Sequence, residues 1–346
     1  MPRIAAGKVS LKQIAQAAGV STMTVSFALR NSSQVSPATR QRIARLARKL
    51  GYRPDPEIAR FMSYLRRDRS KGVFRGTIGF LNFLNNPDGF HGGGFYSRVL
   101  AGVRARAEEM GFALEEVWAG NPAISARRLK TILQARGIDS IIVPPLPRDA
   151  VNLELDCSEF YGVTIAFTLE SPRLSRVSHD HFEGIRLAMR EVRKLGYQRP
   201  GFVSTAQSNA RVRQHWSGGF LGSCQLLPKG DQVPAFIDDE LDSRAFTAWL
   251  HRYRPDVVLS PHVETYGLLL HRGMRVPEDT GFVLLDWSSG DPSWAGIDQH
   301  VSHLGHTAVD VLVAQRNRNE AGAPSHARTI LIEGSWRTGE TVRPSA

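Results

Sequence analysis

The sequence predicts an α/β protein with three parts: a three-helix helix-turn-helix domain, a short hinge, and a two-lobed core of doubly wound parallel sheets. Three features predict this organisation. Helical periodicity fills the N-terminal segment, prolines interrupt the chain directly after it, and buried strands then alternate with amphipathic helices. We place the boundaries of the three parts at residues 1–54, 55–75 and 76–346.

Two short helices joined by a tight turn open the N-terminal domain. The first is predicted by apolar side chains at helical spacing, namely Leu11, Ile14, Ala15 and Ala18. Gly19 ends this helix because glycine adopts the left-handed conformation easily, and Ser21 follows as an N-cap whose hydroxyl accepts a hydrogen bond from an amide of the next helix. The spacing therefore predicts a helix-turn-helix.

The second helix has a packing arc and a free arc. The packing arc contains Val25, Ala28 and Leu29. The opposite arc contains Thr22, Met23, Ser26, Phe27 and Arg30. Because the domain does not need this second, polar and partly basic face for its own core, the face is available to a binding partner.

A third, basic helix completes the domain. Ser36 caps it and Pro37 starts it, where the amide hydrogen that proline lacks would have no helical partner. The inward side chains are Ile43, Leu46, Ala47 and Leu50, and the largely outward ones are Arg40, Arg42, Arg45, Arg48 and Lys49. Gly51 ends the helix.

Basic charge is concentrated at this end of the chain. Residues 1–75 hold 16 Lys and Arg against 3 Asp and Glu, whereas the other 271 residues hold 28 against 30, within a net charge of +11. Lys and Arg that contact phosphates release counterions and supply most of the non-specific affinity for nucleic acid. The local excess indicates a polyanionic partner, and a solvated cationic tail is the alternative.

A set of positions in this segment carries a specific family resemblance. The set is Leu11, Ile14, Ala15, Ala18, Gly19, Val20, Ser21, Thr24, Val25, Ser26, Val35, Ser36, Thr39, Arg40, Gly51, Tyr52 and Pro54. With these residues the chain resembles the lactose-repressor (LacI/GalR) family of bacterial transcription regulators. The resemblance implies that Thr22 and Met23 read base edges in the major groove of duplex DNA. It also implies phosphate contacts by Ser21, Thr24 and Ser36.

Two positions depart from the family pattern. Where the family usually carries Arg and Asn, this chain has Phe27 and Arg30. A phenylalanine can contact a thymine methyl but makes no bidentate contact to guanine, so the operator sequence does not transfer. Packing of Phe27 on the third helix is an equal alternative. With Ser26, both residues remain candidates for DNA contact.

A proline-bracketed segment follows the third helix. Pro54 and Pro56 prevent that helix from continuing, and the next nine residues offer one short apolar stripe. Such a short helix is marginal in water, so we expect it to fold when the protein dimerises on DNA. It resembles the family's hinge helix, which inserts an apolar wedge into the minor groove. Matching residues 58–59 to the family's Val-Ala makes Met62 the wedge. Counting from Pro54 makes it Phe61; we prefer Met62, and a plain linker is the alternative.

The remaining chain alternates strands and helices in two series. The first series is strand 77–84, helix 96–110, strand 113–117, helix 126–135 and strand 140–144. The second is strand 163–167, helix 182–195, strand 201–204, a helix around 212–226, helix 244–253, strand 256–259, helix 264–272 and strand 281–286. These βαβ units predict two parallel sheets with ligands at the carboxyl ends of strands. The resemblance implies the same core, similar to a periplasmic sugar-binding protein, with an effector between the lobes.

Candidate effector-binding residues lie near strand ends. Asp286 follows a strand and matches an acid that the family often uses for sugar hydroxyls, and Gln299 matches a family position in the next crossover. The family's effector-binding Arg falls near Arg213, but counting back from residues 219–220 places Trp216 there. Both assignments remain open.

Aromatic residues extend this candidate site. Tyr96, Trp216 and Trp287 are able to stack on a sugar ring or another planar ligand, with core packing as the alternative for each. Where many family members carry Asn-Asp for sugar hydroxyls, this chain has Pro261 and His262. That difference argues against a simple hexose as effector.

Other chemistries find less support in the sequence. Histidines recur at 179 and 181 and at 300, 303 and 306, but neither group includes a cysteine, and structural histidines are commoner than ligands. The glycines after His91 resemble an esterase oxyanion loop, yet neither a Gly-x-Ser-x-Gly elbow nor a phosphate-binding Gly-x-x-x-x-Gly-Lys occurs. We expect no cofactor and no metal. The sequence has two cysteines and shows neither an apolar leader nor a run of about 18 apolar residues. We therefore expect a soluble cytoplasmic protein without a membrane partner.

Together these features predict a homodimeric, ligand-responsive transcription regulator, a repressor, that binds a pseudo-palindromic operator and a sugar-like effector. Two other hypotheses remain. In one, the core is permanently closed and DNA binding needs no effector, which a calorimetric sugar screen without heat would favour. In the other, the DNA-binding domain is fused to a sugar-processing enzyme, although the sequence assembles neither a carboxylate pair nor an activated nucleophile.

Overall fold

The computed structural model describes residues 11–29, 35–50, 52, 74–147, 152–287 and 291–344. Residues 55–73 of the predicted hinge lie outside these ranges, and so do both candidate wedge residues, Met62 and Phe61. Arg30 also lies outside them.

The N-terminal domain is the predicted bundle of three helices. They are α1 (Leu11–Ala18), α2 (Thr22–Leu29) and α3 (Pro37–Lys49). Their core is small and closed, because each helix contributes one fully buried aliphatic side chain: Ile14, Val25 and Ile43. Gly19 takes a positive φ of 65° at the end of α1, as the predicted turn requires.

The N-terminal lobe is built on a six-stranded parallel sheet in the order β11-β5-β4-β3-β1-β2. Its strands are β1 (Thr77–Asn82), β2 (Ala113–Trp118), β3 (Ile138–Val143), β4 (Tyr161–Ile165), β5 (Ser175–His179) and β11 (Thr329–Ile332). Its helices are α4 (Gly94–Glu109), α5 (Ala126–Ala135) and, from the far end of the chain, α11 (Val301–Arg318).

The C-terminal lobe holds the second six-stranded sheet, in the order β12-β10-β9-β8-β6-β7. Its strands are β6 (Pro200–Thr205), β7 (Phe236–Asp238), β8 (Val257–Ser260), β9 (Gly281–Leu284), β10 (Gly296–Asp298) and β12 (Ser335–Arg337). Its helices are α6 (His181–Lys194), α7 (Ala206–Arg211), α8 (His215–Cys224), α9 (Arg244–Tyr253) and α10 (Glu264–His271), with a 3₁₀ turn at Lys229–Asp231. β12 pairs with β10 in the antiparallel direction, and the other paired strands of the sheet are parallel.

The lobes are interleaved in sequence, which differs from the prediction of two consecutive series. The strand expected to open the second series, β4, lies in the first sheet between β3 and β5. The chain passes between the sheets after β5, after β10 and after β11. Periodicity predicts that a segment is a strand but does not specify its partner, so the assignment of β4 to the second lobe was wrong.

The predicted helix at 212–226 is also interrupted. α7 ends at Arg211 and α8 begins at His215, because Arg213 and Gln214 between them have positive φ values of 52° and 57°. Residues in the left-handed region cannot continue a right-handed helix. No helix in the part of the chain that the structure describes is both long and apolar enough to span a bilayer.

Two glycines allow α4 and α11 to pack at close range. A β-carbon at Gly102 would lie 2.1 Å from the carbonyl oxygen of Ser302. One at Gly305 would lie 2.4 Å from the carbonyl oxygen of Val99. These separations are far shorter than a carbon–oxygen contact, so only glycine permits this backbone approach.

Replacing Gly305 by alanine is therefore expected to destabilise the protein by about 2 kcal/mol, because the helices must separate. The shift of the urea unfolding midpoint measures the effect. Gly222→Ala is the matched control: Gly222 also lies in a helix, but a β-carbon there has no heavy atom within 4 Å. It is expected to stabilise by about 0.5 kcal/mol, since alanine favours helix over glycine. Equal midpoints for the two variants would contradict the packing argument.

Candidate functional site

The N-terminal end of α2 presents exposed side chains at the surface of the three-helix domain. Thr22 is exposed, and Met23 exposes 66% of its surface, which is unusual for a large apolar side chain. The Ser21 hydroxyl accepts from the Thr24 amide at 3.0 Å, and the two hydroxyls lie 2.9 Å apart. The cap thus fixes the start of the helix while Thr22 and Met23 stay free for contact.

The start of α3 repeats this arrangement. The Ser36 hydroxyl accepts from the Thr39 amide at 3.3 Å, and the two hydroxyls are 2.9 Å apart. Ser21 and Ser36 are both exposed at helix N-termini, where amide groups and the helix dipole favour an anion such as a DNA phosphate.

Phe27 is partly buried against the core of the three helices. This position supports the packing alternative, and a thymine contact stays a prediction. Ser26 lies on α2 beside it.

The second candidate site lies where the two lobes meet, at the carboxyl ends of their strands. Residues after β1 and β4 of the N-terminal lobe face residues after β5 and β6 that lead into the C-terminal lobe. Parallel sheets place ligand-binding residues at this edge. We call this region the interlobe site.

A continuous series of rings crosses the interlobe site, and we call it the ring chain: Phe90, Tyr96, Phe95, His179, His181 and Trp216. Successive centroids lie 5.2, 5.6, 6.1, 5.6 and 4.6 Å apart. Beside the chain, the Phe167 ring lies 4.6 Å from His215 at the start of α8. The rings offer flat apolar faces and polar edges of the kind that bind planar or ring-shaped ligands.

His179 and His181 of the interlobe site are buried, and His215 is partly buried. Burial lowers the pKa of His179 to about 3 and the pKa of His181 well below its usual value, and it also lowers the pKa of His215. Among the described residues, the buried Nδ1 atoms of His181 and His215 have no hydrogen-bond partner. A neutral imidazole has one donor and one acceptor nitrogen, so these rings can donate a hydrogen bond to a ligand hydroxyl or accept one from it.

Backbone strain accompanies the contacts of Phe167. Ala166 before it has a φ of 64°, and Arg213 and Gln214 on the opposite lobe also occupy the left-handed region. The Arg213 guanidinium lies 5.7 Å from the centre of the Phe167 ring. Non-glycine residues in this region cost about 1 kcal/mol or more each, and they cluster at functional sites.

Three predicted effector residues lie in the interlobe site. Tyr96 donates from its hydroxyl to the Pro145 carbonyl at 3.3 Å, and burial raises its pKa. Trp216 is buried on α8 against His181. The structure therefore brings Arg213 and Trp216, the two alternatives for one family position, to the same region. The role of each in effector binding remains a prediction.

The other three predicted effector residues belong to the C-terminal lobe near the end of β9. Trp287 donates from Nε1 to the Trp294 carbonyl at 2.8 Å, and Arg337 lies 5.4 Å from its ring centre. These contacts fit the packing alternative for Trp287. Gln299 is buried and donates to the Leu285 carbonyl at 2.6 Å, which holds the segment beyond β9. Asp286 follows the strand, partly buried.

Sequence reasoning missed several side chains of the interlobe site: Phe167, His179, His181, Asn209, Arg211 and His215. The signal was the pair of histidines at 179 and 181, which was weighed only as a metal motif. Within the described ranges, no group of three or more His, Cys, Asp or Glu side chains is arranged to hold a metal. β5 itself was not predicted, so its carboxyl end was not recognised as a ligand position.

Acidification is expected to destabilise the protein through these histidines. Their folded-state pKa values lie below the ordinary value of about 6.5, so the unfolded chain binds more protons below that pH. Stability is therefore complete above about pH 6.5 and falls by about 1 kcal/mol per histidine between about pH 6.5 and 5.5. Urea unfolding across this range measures the slope. His181→Asn should flatten it, whereas His303→Gln, an exposed control, should not. A wild-type slope in H181N would count against this account.

Family comparison gives a match for the three-helix domain. The family described as "Bacterial regulatory proteins, lacI family" matches residues 10–55, which contain α1, α2 and α3. Over nearly its whole length the chain is 25% identical to the HTH-type transcriptional repressor CytR of Escherichia coli (strain K12), covering 95% of this chain and 96% of that protein.

Solved structures are similar across both domains. A transcriptional regulator CelR–cellobiose complex has a TM-score of 0.58 at 23% identity, covering 96% of this chain and 100% of that one. The lac repressor dimer bound to operator and the anti-inducer ONPF has a TM-score of 0.55 at 20% identity, covering 98% and 100%. The predicted fold class, three N-terminal helices and a two-lobed core similar to periplasmic binding proteins, is confirmed.

Proposed function

We propose that this chain is a member of the lacI family of bacterial regulatory proteins, whose model matches its residues 10–55, and that a small molecule bound between its lobes controls its affinity for operator DNA. The effector is a sugar or a sugar derivative, and the regulator acts as a repressor. One observation carries the proposal: the same chain combines an exposed recognition helix with a buried, ring-lined site between two lobes.

The exposed end of α2 supplies the proposed DNA readers. Thr22 offers a hydroxyl and Met23 an apolar side chain, which suit a base edge and a thymine methyl in the major groove. Ser21, Thr24 and Ser36 are placed for phosphates, with Ser26, Phe27 and Arg30 as further candidates. Met62 is the proposed minor-groove wedge of the hinge.

Thr22→Ala and Met23→Ala are each expected to weaken binding to the DNA upstream of the chain's own gene about 10-fold or more, since one base contact contributes about 1–3 kcal/mol. Band shifts at fixed salt with competitor DNA measure this. Gln16→Ala, at an exposed position on α1, is the control and should bind like wild type. The proposed function fails if the wild-type protein gives no salt-sensitive shift, or if deleting residues 1–65 leaves the shift unchanged.

The interlobe site supports a ring-shaped, hydroxyl-bearing ligand. Aromatic faces such as Trp216 pack against the apolar face of a sugar, and the unpartnered imidazole nitrogens of His181 and His215 suit its hydroxyls. The related fold of CelR was solved with cellobiose. Binding across two lobes alters their relative arrangement, and that change is the proposed input to the hinge and the operator-bound population.

A dimer is the proposed assembly, since two-fold symmetry matches a pseudo-palindromic operator. α10 provides a surface for it: Leu270 exposes 44% of its surface, and the partly exposed Tyr266 ring lies 4.4 Å from Trp294. Apolar and aromatic side chains gathered in this way are typical of the buried centre of an interface.

Leu270→Asp is expected to convert the dimer into a monomer, because a buried carboxylate would lose its hydration without gaining a partner. Sedimentation equilibrium at micromolar concentration measures the mass. Leu226→Asp is the matched control, since Leu226 follows α8, exposes 85% of its surface and should leave the mass unchanged when substituted. A dimeric L270D protein would exclude this surface as the interface.

A further inference from the structure

Two arginines, Arg176 and Arg213, flank the Phe167 ring in the interlobe site. Arg211 contacts the adjoining loop at Leu146, and the charge of Arg173 acts on Arg176. We call these four residues the arginine cluster. Elsewhere in the lobes, arginines such as Arg106, Arg272 and Arg316 form ion pairs at 2.8, 2.6 and 2.7 Å. Within the described part of the chain, no carboxylate forms an ion pair with any member of the cluster. The carboxylate of Glu170 is near enough to act on the pKa of Arg176 against the lowering by burial and by the other arginines, but it forms no ion pair with the cluster, which therefore keeps an excess of positive charge.

Both lobes contribute to this patch. Arg211, at the end of α7, donates to the Leu146 carbonyl at 2.9 Å, and the Leu146 amide donates to the Thr168 hydroxyl at 2.8 Å. The loops after β3 and β4 are thus tied together, and the C-terminal lobe contacts both of them. Arg213 completes the arrangement from the same lobe by lying over the Phe167 ring.

Arg176 holds the N-terminal side of the site. It is buried, and its guanidinium donates to the carbonyls of Ala166 and Leu169 at 3.3 and 3.0 Å. Its pKa is lowered by burial and then by the positive charges of Arg213 and Arg173. Repulsion among these guanidinium groups opposes the approach of the lobes, and a bound anion would remove that repulsion.

Unpartnered polar atoms lie next to the cluster. The Nδ1 atoms of His181 and His215 and the Oδ1 atom of Asn209 are buried without a hydrogen-bond partner among the residues the structure describes. His215 contacts Phe167, the ring that Arg213 and Arg176 also flank. The site therefore combines positively charged guanidinium groups, which bind anions, with neutral imidazole and amide groups, which form hydrogen bonds with uncharged polar groups.

We infer that the effector carries a carboxylate or phosphate group held by Arg211 and Arg213, opposite the loop that Arg176 braces, while its hydroxyls meet His181, His215 and Asn209. Guanidinium groups bind both anions through paired hydrogen bonds. The description of this ligand as an effector rests on the proposed function. The anion site itself rests on the arginine cluster.

The test compares the melting temperature of the full chain in about 20 mM potassium phosphate, potassium D-gluconate or potassium chloride, at matched ionic strength and about pH 7. We expect phosphate or gluconate to raise the melting temperature saturably by about 3 °C more than chloride. A larger rise with phosphate indicates a phosphorylated effector, and a larger rise with gluconate indicates a sugar acid.

Two variants locate the bound anion. Arg213→Gln should lose the extra rise, and the exposed position of Arg213 keeps this variant folded. Arg275→Gln removes another exposed arginine of the same lobe, one paired with Asp279, and should keep the rise. The inference is overturned if neither anion exceeds chloride, or if R213Q retains the full rise, which would place the anion on the basic N-terminal domain. Wild-type band shifts are scored separately, so an operator shift without an anion effect overturns this inference alone.

Discussion

The parallel direction of the strands in both sheets, β12 excepted, is the constraint on which the interlobe site depends. Parallel strands need crossover connections, so all their carboxyl ends open at one edge of each sheet. The chain passes between the sheets directly after β5, which turns those edges toward each other. Phe167 follows β4 and His181 follows β5, and they meet the start of α8 beyond β6. A ligand-facing surface shared by two lobes is a direct consequence of this topology.

Burial gives the shared surface its chemical character. A histidine in water is partly charged near neutral pH, but His179 and His181 lie almost completely out of water and stay neutral. The permanent positive charge of the site therefore comes from arginine, whose guanidinium keeps its proton in proteins. The neutral imidazoles contribute directional hydrogen-bonding groups but no charge. In the proposed complex, the arginines would bind the charged end of the effector and the imidazoles its hydroxyl groups.

The sequence was most informative where local signals decide the structure. The predicted helices at 126–135 and 244–253 have the observed bounds of α5 and α9, because each begins at a capping serine and has a strong apolar stripe. β5 was missed because all five of its residues are buried although four are polar or charged, so no alternation marks it. Its buried Arg176 donates to the carbonyls of Ala166 and Leu169, which lie 10 and 7 positions earlier in the chain and outside the strand, so no local pattern indicates these contacts.

The site shows the same division between local and long-range information. Thr22 and Met23 were predicted because the helix that exposes them is defined by its own neighbours in sequence. The contact between Phe167 and His215 joins residues 48 positions apart, on segments whose pairing depends on how the lobes interleave. The left-handed conformations of Ala166, Arg213 and Gln214, which adjoin that contact, likewise contradict local propensity.

Regulation by a ligand requires that the ligand bind one arrangement of the lobes more tightly than another, since equal affinity for both shifts nothing. The arginine cluster meets this condition if it binds the proposed anion. Arg211 and Arg213 belong to one lobe, whereas Arg176 and the Phe167 loop belong to the other. An anion between them interacts with both sets of charges only when the lobes are close, and its absence leaves those charges repelling. Each guanidinium therefore contributes to the difference between the two arrangements as well as to affinity.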